Sequence, residues 1–405
     1  AAGRRAVGRG DLPASINLLD RAIALLPPED PSRLHLLTEL GEALVQGFDW
    51  DRASRLLDEA LAAADRTGDA ALRAHAALGK LDLRLDAEPD RPDSGPNTFR
   101  SEVQGVLALL EELGDEQGQA RAWRLLALDS YLRCRIAPAE EEMRLAYEHA
   151  HRADDDLLEA TSLYVLAQAA FWGPAPVAEG IRRCEDIRER AGDNYRVQLG
   201  ALHALAGLHA MQGRFEVARQ LGEQASALAE ELGPNRFAAI CSQFLGVTEL
   251  LAGDPAAAEA RLRWGYGILE RTGERGLRSE LAANLARALR EQGRDDEALR
   301  LASLSGELAV RDDLYAQVER RGPMARVLAG RGDTAEAERL AREAVAMAQP
   351  TDMLNMRANA LADLAAVLRL AGRAAEAEPL LGQALDLYQR KGNQVSAARV
   401  RDLLG

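Results

Sequence analysis

One short phrase returns along the second half of the chain and constrains everything else. It reads GRFEVA at Gly213–Ala218, GDPAAA at Gly253–Ala258, GRDDEA at Gly293–Ala298, GDTAEA at Gly332–Ala337 and GRAAEA at Gly372–Ala377. The closing alanines are spaced by 40, 40, 39 and 40 residues. A fixed period of this size belongs to stacked repeat proteins, whose units bury their apolar faces only against their neighbours. The 405 residues therefore do not divide into two or three ordinary domains; one array accounts for them. Between the phrases the chain is rich in Ala, Leu, Arg and Glu, all strong helix formers. Val, Ile and Thr never form an alternating, strand-like run. The fold class read from this pattern is all-α.

Each period divides into helix A and helix B. A glycine sits in the A–B turn, where it can end helix A in the left-handed conformation that only glycine adopts cheaply. A small residue follows on helix B, a second lies seven positions further on, and a third lies twelve positions before the first, on helix A. In the regular half these triplets are Ala206, Ala218, Ala225; Gly246, Ala258, Gly265; Ala286, Ala298, Ser305; Ala325, Ala337, Ala344; and Ala365, Ala377, Ala384. Apolar residues at helical spacing fill the remaining inward positions. Joints such as Thr67–Asp69, Leu113–Asp115 and Lys391–Asn393 place a glycine at the end of helix B and an Asp or Asn before the next helix A, a stop followed by a cap.

The first half is less regular. Repeat 1 has Gly10, Ser15, Leu19 and Ala22, with Gly3 as its helix A partner. Its helix A is cut near the middle, so the sequence is expected to be a piece of a longer chain. Repeat 3 carries the insert DAEPDRPDSGPN at Asp86–Asn97, whose three prolines forbid continuous helix and predict an exposed loop. Repeat 5 turns through WGPAP at Trp172–Pro176. The last segment, 394–404, reads as one closing helix without a partner, as the end of a solenoid needs.

Small residues at relative positions 8, 20 and 27, a Leu or Trp at position 4 and a Gly-Asp/Arg turn resemble the tetratricopeptide repeat. Trp123, Ala127, Ala139 and Ala146 match, as do Leu37, Gly41, Ala53 and Ala60. The longer period is similar to the MalT-like variant found at the C-terminal end of bacterial signalling ATPases, of ATPase-linked adenylate cyclases and of LuxR-type regulators. Two stretches, Gly8–Leu44 and Ala360–Arg399, carry that likeness. The resemblance implies a right-handed α-solenoid of about ten helical pairs with a C-terminal capping helix, a single array over 1–405. It implies a sensor or scaffold that binds a protein, a peptide (its own N-terminal ATPase or effector domains included) or a small ligand on its concave face. A free-standing adaptor that docks acidic or C-terminal peptides is the alternative.

The residues themselves exclude most other classes. A formal net charge of −14 argues against direct nucleic-acid binding and against attachment to anionic lipid. Only Lys80 and Lys391 are lysines; arginine supplies the other basic residues, a bias expected of a high-GC bacterial genome. Cys134, Cys184 and Cys241 are widely spaced, which suits buried thiols in a reducing cytoplasm rather than disulfides or a metal motif. No apolar run is long enough to predict a membrane span. There is no Walker loop, HExxH, EF-hand, GxSxG or GxGxxG pattern. His149 and His151 lie two apart on a helix and point in different directions. Neither a catalytic site, nor a metal, nor a cofactor is expected.

Recognition on a surface remains. In tetratricopeptide arrays the concave wall is lined by positions 2, 5, 9 and 12 of helix A. Carried onto this chain, the wall comprises Arg124, Tyr131, Tyr164, Phe171, His203 and Gln243, then Arg287, Arg290, Arg326 and Arg369: an aromatic centre followed by an arginine stripe. Arginine can clamp a carboxylate or phosphate bidentately, and Tyr and Arg are common anchors. Two alternatives stand beside this reading. Tyr164 and Phe171 can be core, and the stripe can be a solvated face balancing nearby acids.

Overall fold

The computed structural model describes residues 12–28, 30–47, 49–87, 98–231, 233–309 and 313–405. Gly3, the first A–B turn and nearly all of the 86–97 insert lie outside the described residues. All regular structure among the described residues is α-helical. The helices are α1 (Leu12–Ala24), α2 (Pro31–Gln46), α3 (Trp50–Thr67), α4 (Ala70–Ala87), α5 (Thr98–Leu113), α6 (Glu116–Leu132), α7 (Ile136–Arg152), α8 (Asp156–Trp172), α9 (Val177–Arg190) and α10 (Tyr195–Met211). They continue as α11 (Phe215–Glu231), α12 (Arg236–Ala252), α13 (Pro255–Thr272), α14 (Gly276–Glu291), α15 (Asp295–Leu308), α16 (Leu314–Gly330), α17 (Thr334–Ala348), α18 (Leu354–Leu370), α19 (Ala374–Lys391) and α20 (Gln394–Leu404). None is long and apolar enough to cross a membrane.

The returning phrase is a helix-turn-helix joint. Its glycines Gly213, Gly253, Gly293, Gly332 and Gly372 have φ between 74° and 90°, the region where a Cβ clashes with the backbone. The residue after the glycine then starts helix B. Asp254 accepts from the Ala257 amide at 2.9 Å and Asp333 from the Glu336 amide at 3.3 Å, each satisfying a donor that the first helical turn leaves open. At the opposite joints Asn194, Asn235 and Asn393 cap α10, α12 and α20 in the same way.

Helices within a pair approach so closely that the small triplets are obligatory. Ala206, Ala286, Ala325 and Ala365 have no exposed surface. A Cβ on Gly246 would sit 2.4 Å from Cγ of Leu262; between the first helices of successive pairs, one on Gly207 would sit 2.2 Å from the Phe171 ring.

Two compact units are distinguished: residues 1–129 with 139–162, and residues 130–138 with 163–405. Unit 1 buries Leu37, Leu57, Leu72 and Leu110 between its helices. Its polar ties cross between repeats and helices: Arg124 reaches Asp82 at 2.6 Å, Arg100 reaches Asp129 at 3.2 Å, and His75 meets Asp115 at 2.7 Å.

Unit 2 closes on itself. Its last helices pack against its first ones across more than 200 residues of sequence. The Asp352 carboxylate accepts from the amides of Ile136 at 2.7 Å and Ala137 at 2.8 Å, at the start of α7. Lys391, at the end of α19, donates to the carbonyls of Ala170, Gly173 and Ala175 at the end of α8. Arg399 of α20 donates to the Leu251 carbonyl at 2.8 Å. A shared apolar cluster joins Cys134, Ile136 and Ala169 to Tyr315, Ala348, Met353 and Met356. The repeat pattern had no means of announcing this, because each of these residues is ordinary within its own repeat.

Two substitutions test the packing rule. Gly246→Val forces a branched side chain onto Leu262 and is expected to cost about 1–3 kcal/mol in urea unfolding. Gly382→Ala on α19, where a Cβ meets nothing within 4 Å, is expected to stabilise by about 0.4–1 kcal/mol.

Candidate functional site

The helix A faces of unit 2 bring together most of the residues expected on the wall, and they bury them. Tyr164 and Phe171 on α8, His203 on α10 and Gln243 on α12 are each at most 3% exposed. Tyr164 stands edge-on to His203 at 5.7 Å and to Phe237 at 5.1 Å. His203 stacks on Phe244 at 4.2 Å. Phe244 meets Phe171 at 4.9 Å and Trp172 at 5.2 Å. Trp172 then meets Tyr315 of α16 at 5.3 Å. This aromatic ladder runs through α8, α10 and α12 and jumps to α16, a contact that only the closure of unit 2 makes possible. Tyr131 packs against the same cluster, and burial pushes its phenol well above the usual tyrosine range.

Next to the ladder lies a polar set. Gln243 Nε2 donates to Glu280 at 2.7 Å. Tyr315 Oη donates to Asn284 Oδ1 at 3.3 Å, while Asn284 Nδ2, though buried, has no partner. Both ring nitrogens of the fully buried His203 also lack a partner. Such orphans are rare inside proteins, where nearly every buried donor and acceptor is satisfied. Asp313 caps α16 through the Ala316 amide. Burial and the neighbouring Asp313 carboxylate push the Glu280 carboxyl far above its ordinary range, and burial raises Asp313 as well. The His203 imidazole is driven the other way, down to about 3, by burial alone.

The arginines form a different arrangement. Arg287 of α14 bridges Glu319 at 2.8 Å and Asp363 at 3.2 Å. Burial works against its charge, but the Asp363 and Glu319 carboxylates outweigh that and raise its pKa. Gly322 makes room for this bridge: a Cβ there would lie 2.2 Å from Asp363 Oδ2. Arg326 approaches Asp363 at 3.5 Å and Glu291 at 3.6 Å, and Arg290 pairs with Glu291 at 2.8 Å. Asn359 extends the network, donating to Glu319 at 3.4 Å and accepting from Tyr388 at 2.6 Å. Arg369 stands apart and donates to the Leu403 carbonyl of α20 at 2.7 Å. Arg124 belongs to unit 1, where it pairs with Asp82. Arg287, Arg290 and Arg326 are thus paired with nearby acids, and the Arg287 pairs are largely buried rather than part of a solvated face.

Three of those partners were within reach of the positional rule. Glu280, Glu319 and Asn359 occupy position 2 of their repeats, and each meets a side chain of an adjoining repeat. Asn284, Phe244 and Asp363 sit at position 6, which the rule does not count as wall. Here contacts with nearby repeats turn it inward.

Outside this wall, a groove of about 400 Å³ between α9, α10 and α11 is lined by Arg188, Tyr195, Gln198, Leu202 and Leu228. Among the described residues no group of three His, Cys, Asp or Glu side chains is placed to hold a metal. The three cysteines are buried and unpaired.

The tetratricopeptide-repeat family model matches residues 197–271 and 314–390, which hold α10 to α13 and α16 to α19. No curated protein matches in sequence. The fold is similar to that of a Rap protein complexed with competence and sporulation factor: TM-score 0.64, 16% identity, 91% of this chain and 100% of that chain covered. It is also similar to the Rap conjugation gene regulator of plasmid pLS20 in complex with the Phr* peptide. There the TM-score is 0.55 at 13% identity, with 98% of this chain and 97% of that chain covered. At these identities the likeness is one of fold.

Two predictions follow from the charges. Arg287→Met leaves Glu319 buried without its cation and Asp363 with only the longer Arg326 pair, and is expected to cost about 3–5 kcal/mol. Adding Asp363→Asn and Glu319→Gln should recover much of that loss in the same unfolding assay. The second concerns pH. A carboxyl raised on folding binds its proton more tightly in the native state, so its contribution is present at low pH and lost as pH rises through the folded pKa. Stability should therefore fall between about pH 5 and about pH 8, and Glu280→Gln should flatten that slope. His203 has the opposite sign, favouring the unfolded chain below the ordinary histidine range, so His203→Phe should gain stability over the parent most at acid pH.

Proposed function

We propose that this chain is a non-catalytic tetratricopeptide-repeat sensor that binds a peptide or protein segment on the helix A wall of unit 2. The observation that carries the reading is the pair of orphaned buried groups, His203 and Asn284 Nδ2, beside the Glu280 carboxyl and the aromatic ladder. Unspent hydrogen-bonding capacity among flat apolar surfaces fits a peptide, whose backbone offers donors and acceptors and whose side chains fill the gaps between rings. The Phr* peptide complex of a protein of similar fold supports the same reading. The absence of nucleophile, phosphate-loop and metal patterns from the sequence supports a binding role rather than a reaction.

In this reading the array is continuous over 1–405 and belongs to a larger bacterial, cytoplasmic signalling ATPase or transcriptional regulator, as the MalT-like period suggests. Ligand binding then shifts the parent between inactive and active states, which requires the ligand to prefer one of them. A gene that encodes a Walker motif ahead of this segment agrees with that assignment; a start codon directly before Ala1 leaves the free-standing adaptor.

Panning a display library of random short peptides against the chain tests the binding site. Enriched peptides should lose at least about tenfold in affinity with Glu280→Gln or Asn284→Ala, the equivalent of one hydrogen bond. Peptides that bind both variants as tightly as the parent would overturn the wall as the site.

A further inference from the structure

The closure of unit 2 rests on two contacts of unusual chemistry. Each is a helix cap supplied by a residue more than 200 positions away. Asp352 places its carboxylate on the first amides of α7, where the helix end is partially positive. Lys391 places its ammonium on three carbonyls around the last turn of α8, at 3.2, 2.7 and 2.9 Å, where the helix end is partially negative. Lys391 is fully buried, in a chain that uses lysine only twice.

The backbone at the first contact is strained. Cys134 has φ 54° in the A–B turn of its repeat, where the regular repeats place glycine. Its carbonyl accepts from the Asp352 amide at 3.3 Å, and its side chain lies in the cluster shared with Met353 and Met356. A left-handed cysteine persists only where its surroundings hold it. Near the second contact Gly392 lies against Val177 and Gly213 against Val395. Asp352 lies just before α18 and Lys391 at the end of α19, so the two contacts bind the C-terminal helices to the start of α7 and the end of α8, the helix that carries Tyr164, Phe171 and Trp172 of the aromatic ladder.

We propose that Asp352 and Lys391 form a two-point latch that holds unit 2 shut, and that its release, with both points opening together, exposes the helix A wall. Helix caps suit this role. They are compact and directional, and on opening they hand their polar groups to water; opening also parts the apolar cluster shared by Cys134, Ile136, Met353 and Met356, but it leaves each helical pair folded. The consequence for ligand entry rests on the peptide-binding reading above; the latch itself does not.

The native thiols report on it without any ligand. Cys134 adjoins the Asp352 contact, and Cys184 of α9 lies close enough to Lys391 to feel its charge. Cys241 of α12 is equally buried and touches neither. Labelling by an aromatic disulfide reagent, followed site by site by mass spectrometry, is compared in the parent chain, Asp352→Asn and Lys391→Met. The latch predicts crossed effects. Asp352→Asn accelerates labelling of the distant Cys184, and Lys391→Met that of the distant Cys134, each at least about tenfold, with Cys241 unchanged. Effects confined to the thiol beside each substitution, or equal acceleration of all three, would overturn it. Should a variant fail to fold, native-state hydrogen exchange on the parent chain decides. The amides of Ile136, Ala137 and the last turn of α8 must then share one opening, below global unfolding in free energy. Separate openings, or exchange only by global unfolding, would also overturn the latch. If the latch opens and the selected peptides still ignore Glu280→Gln and Asn284→Ala, the binding reading alone fails.

Discussion

Close approach between helices A and B is the constraint on which the rest of this structure depends. Each pair meets where at least one side chain has a single carbon or none, as at Gly246 against Leu262 and at the fully buried Ala286 and Ala365. Interiors at this packing density tolerate little change in volume. The turn glycines serve the same end. By taking positive φ in one residue they return the chain at once, so that helix B lies along helix A without a loop to order. Repetition of that geometry then sets which face of every helix A looks inward.

What the inward faces do with their polar groups differs along unit 2. Around α14, α16 and α18 the charges are matched: Arg287, Arg290 and Arg326 face Glu291, Glu319 and Asp363. A buried network of this kind is worth little as net stability, because desolvation offsets most of the attraction, but it tolerates few alternative alignments of the repeats. Around α8, α10 and the start of α14 the matching stops. Aromatic rings take over, a histidine and an amide nitrogen lack partners, and burial pushes a carboxyl towards its neutral form. The same wall therefore has a part whose charges are paired across repeats and a part where polar groups stand among aromatic rings.

Much of this was legible in particular residues. The 40-residue return of G-x-x-x-x-A carried the helical pairs, and the anchors at Ala218, Ala258, Ala298, Ala337 and Ala377 are buried at helix crossings. The positional rule for helix A picked Tyr164, Phe171, His203, Gln243 and Arg287, which the structure gathers on one set of inner faces. It left their partners at Asn284, Phe244 and Asp363 unnamed, since position 6 falls outside the rule and is turned inward here by contacts with nearby repeats. Arg369 went to the closing helix instead of the wall.

The sequence by itself determined the secondary structure, the pairing of helices and the face each pair turns inward. These follow from short-range rules, glycine φ, capping and helical period, that act within one repeat and its neighbour. Only the tertiary structure decided that the inner faces are enclosed, that the arginines are spoken for, and that Lys391 is a buried cation rather than one more exposed one. Those outcomes depend on contacts between residues more than 200 positions apart, such as Asp352 with Ile136 and Lys391 with Gly173. A small curvature summed over several repeats determines whether such ends meet, and no single repeat encodes that sum.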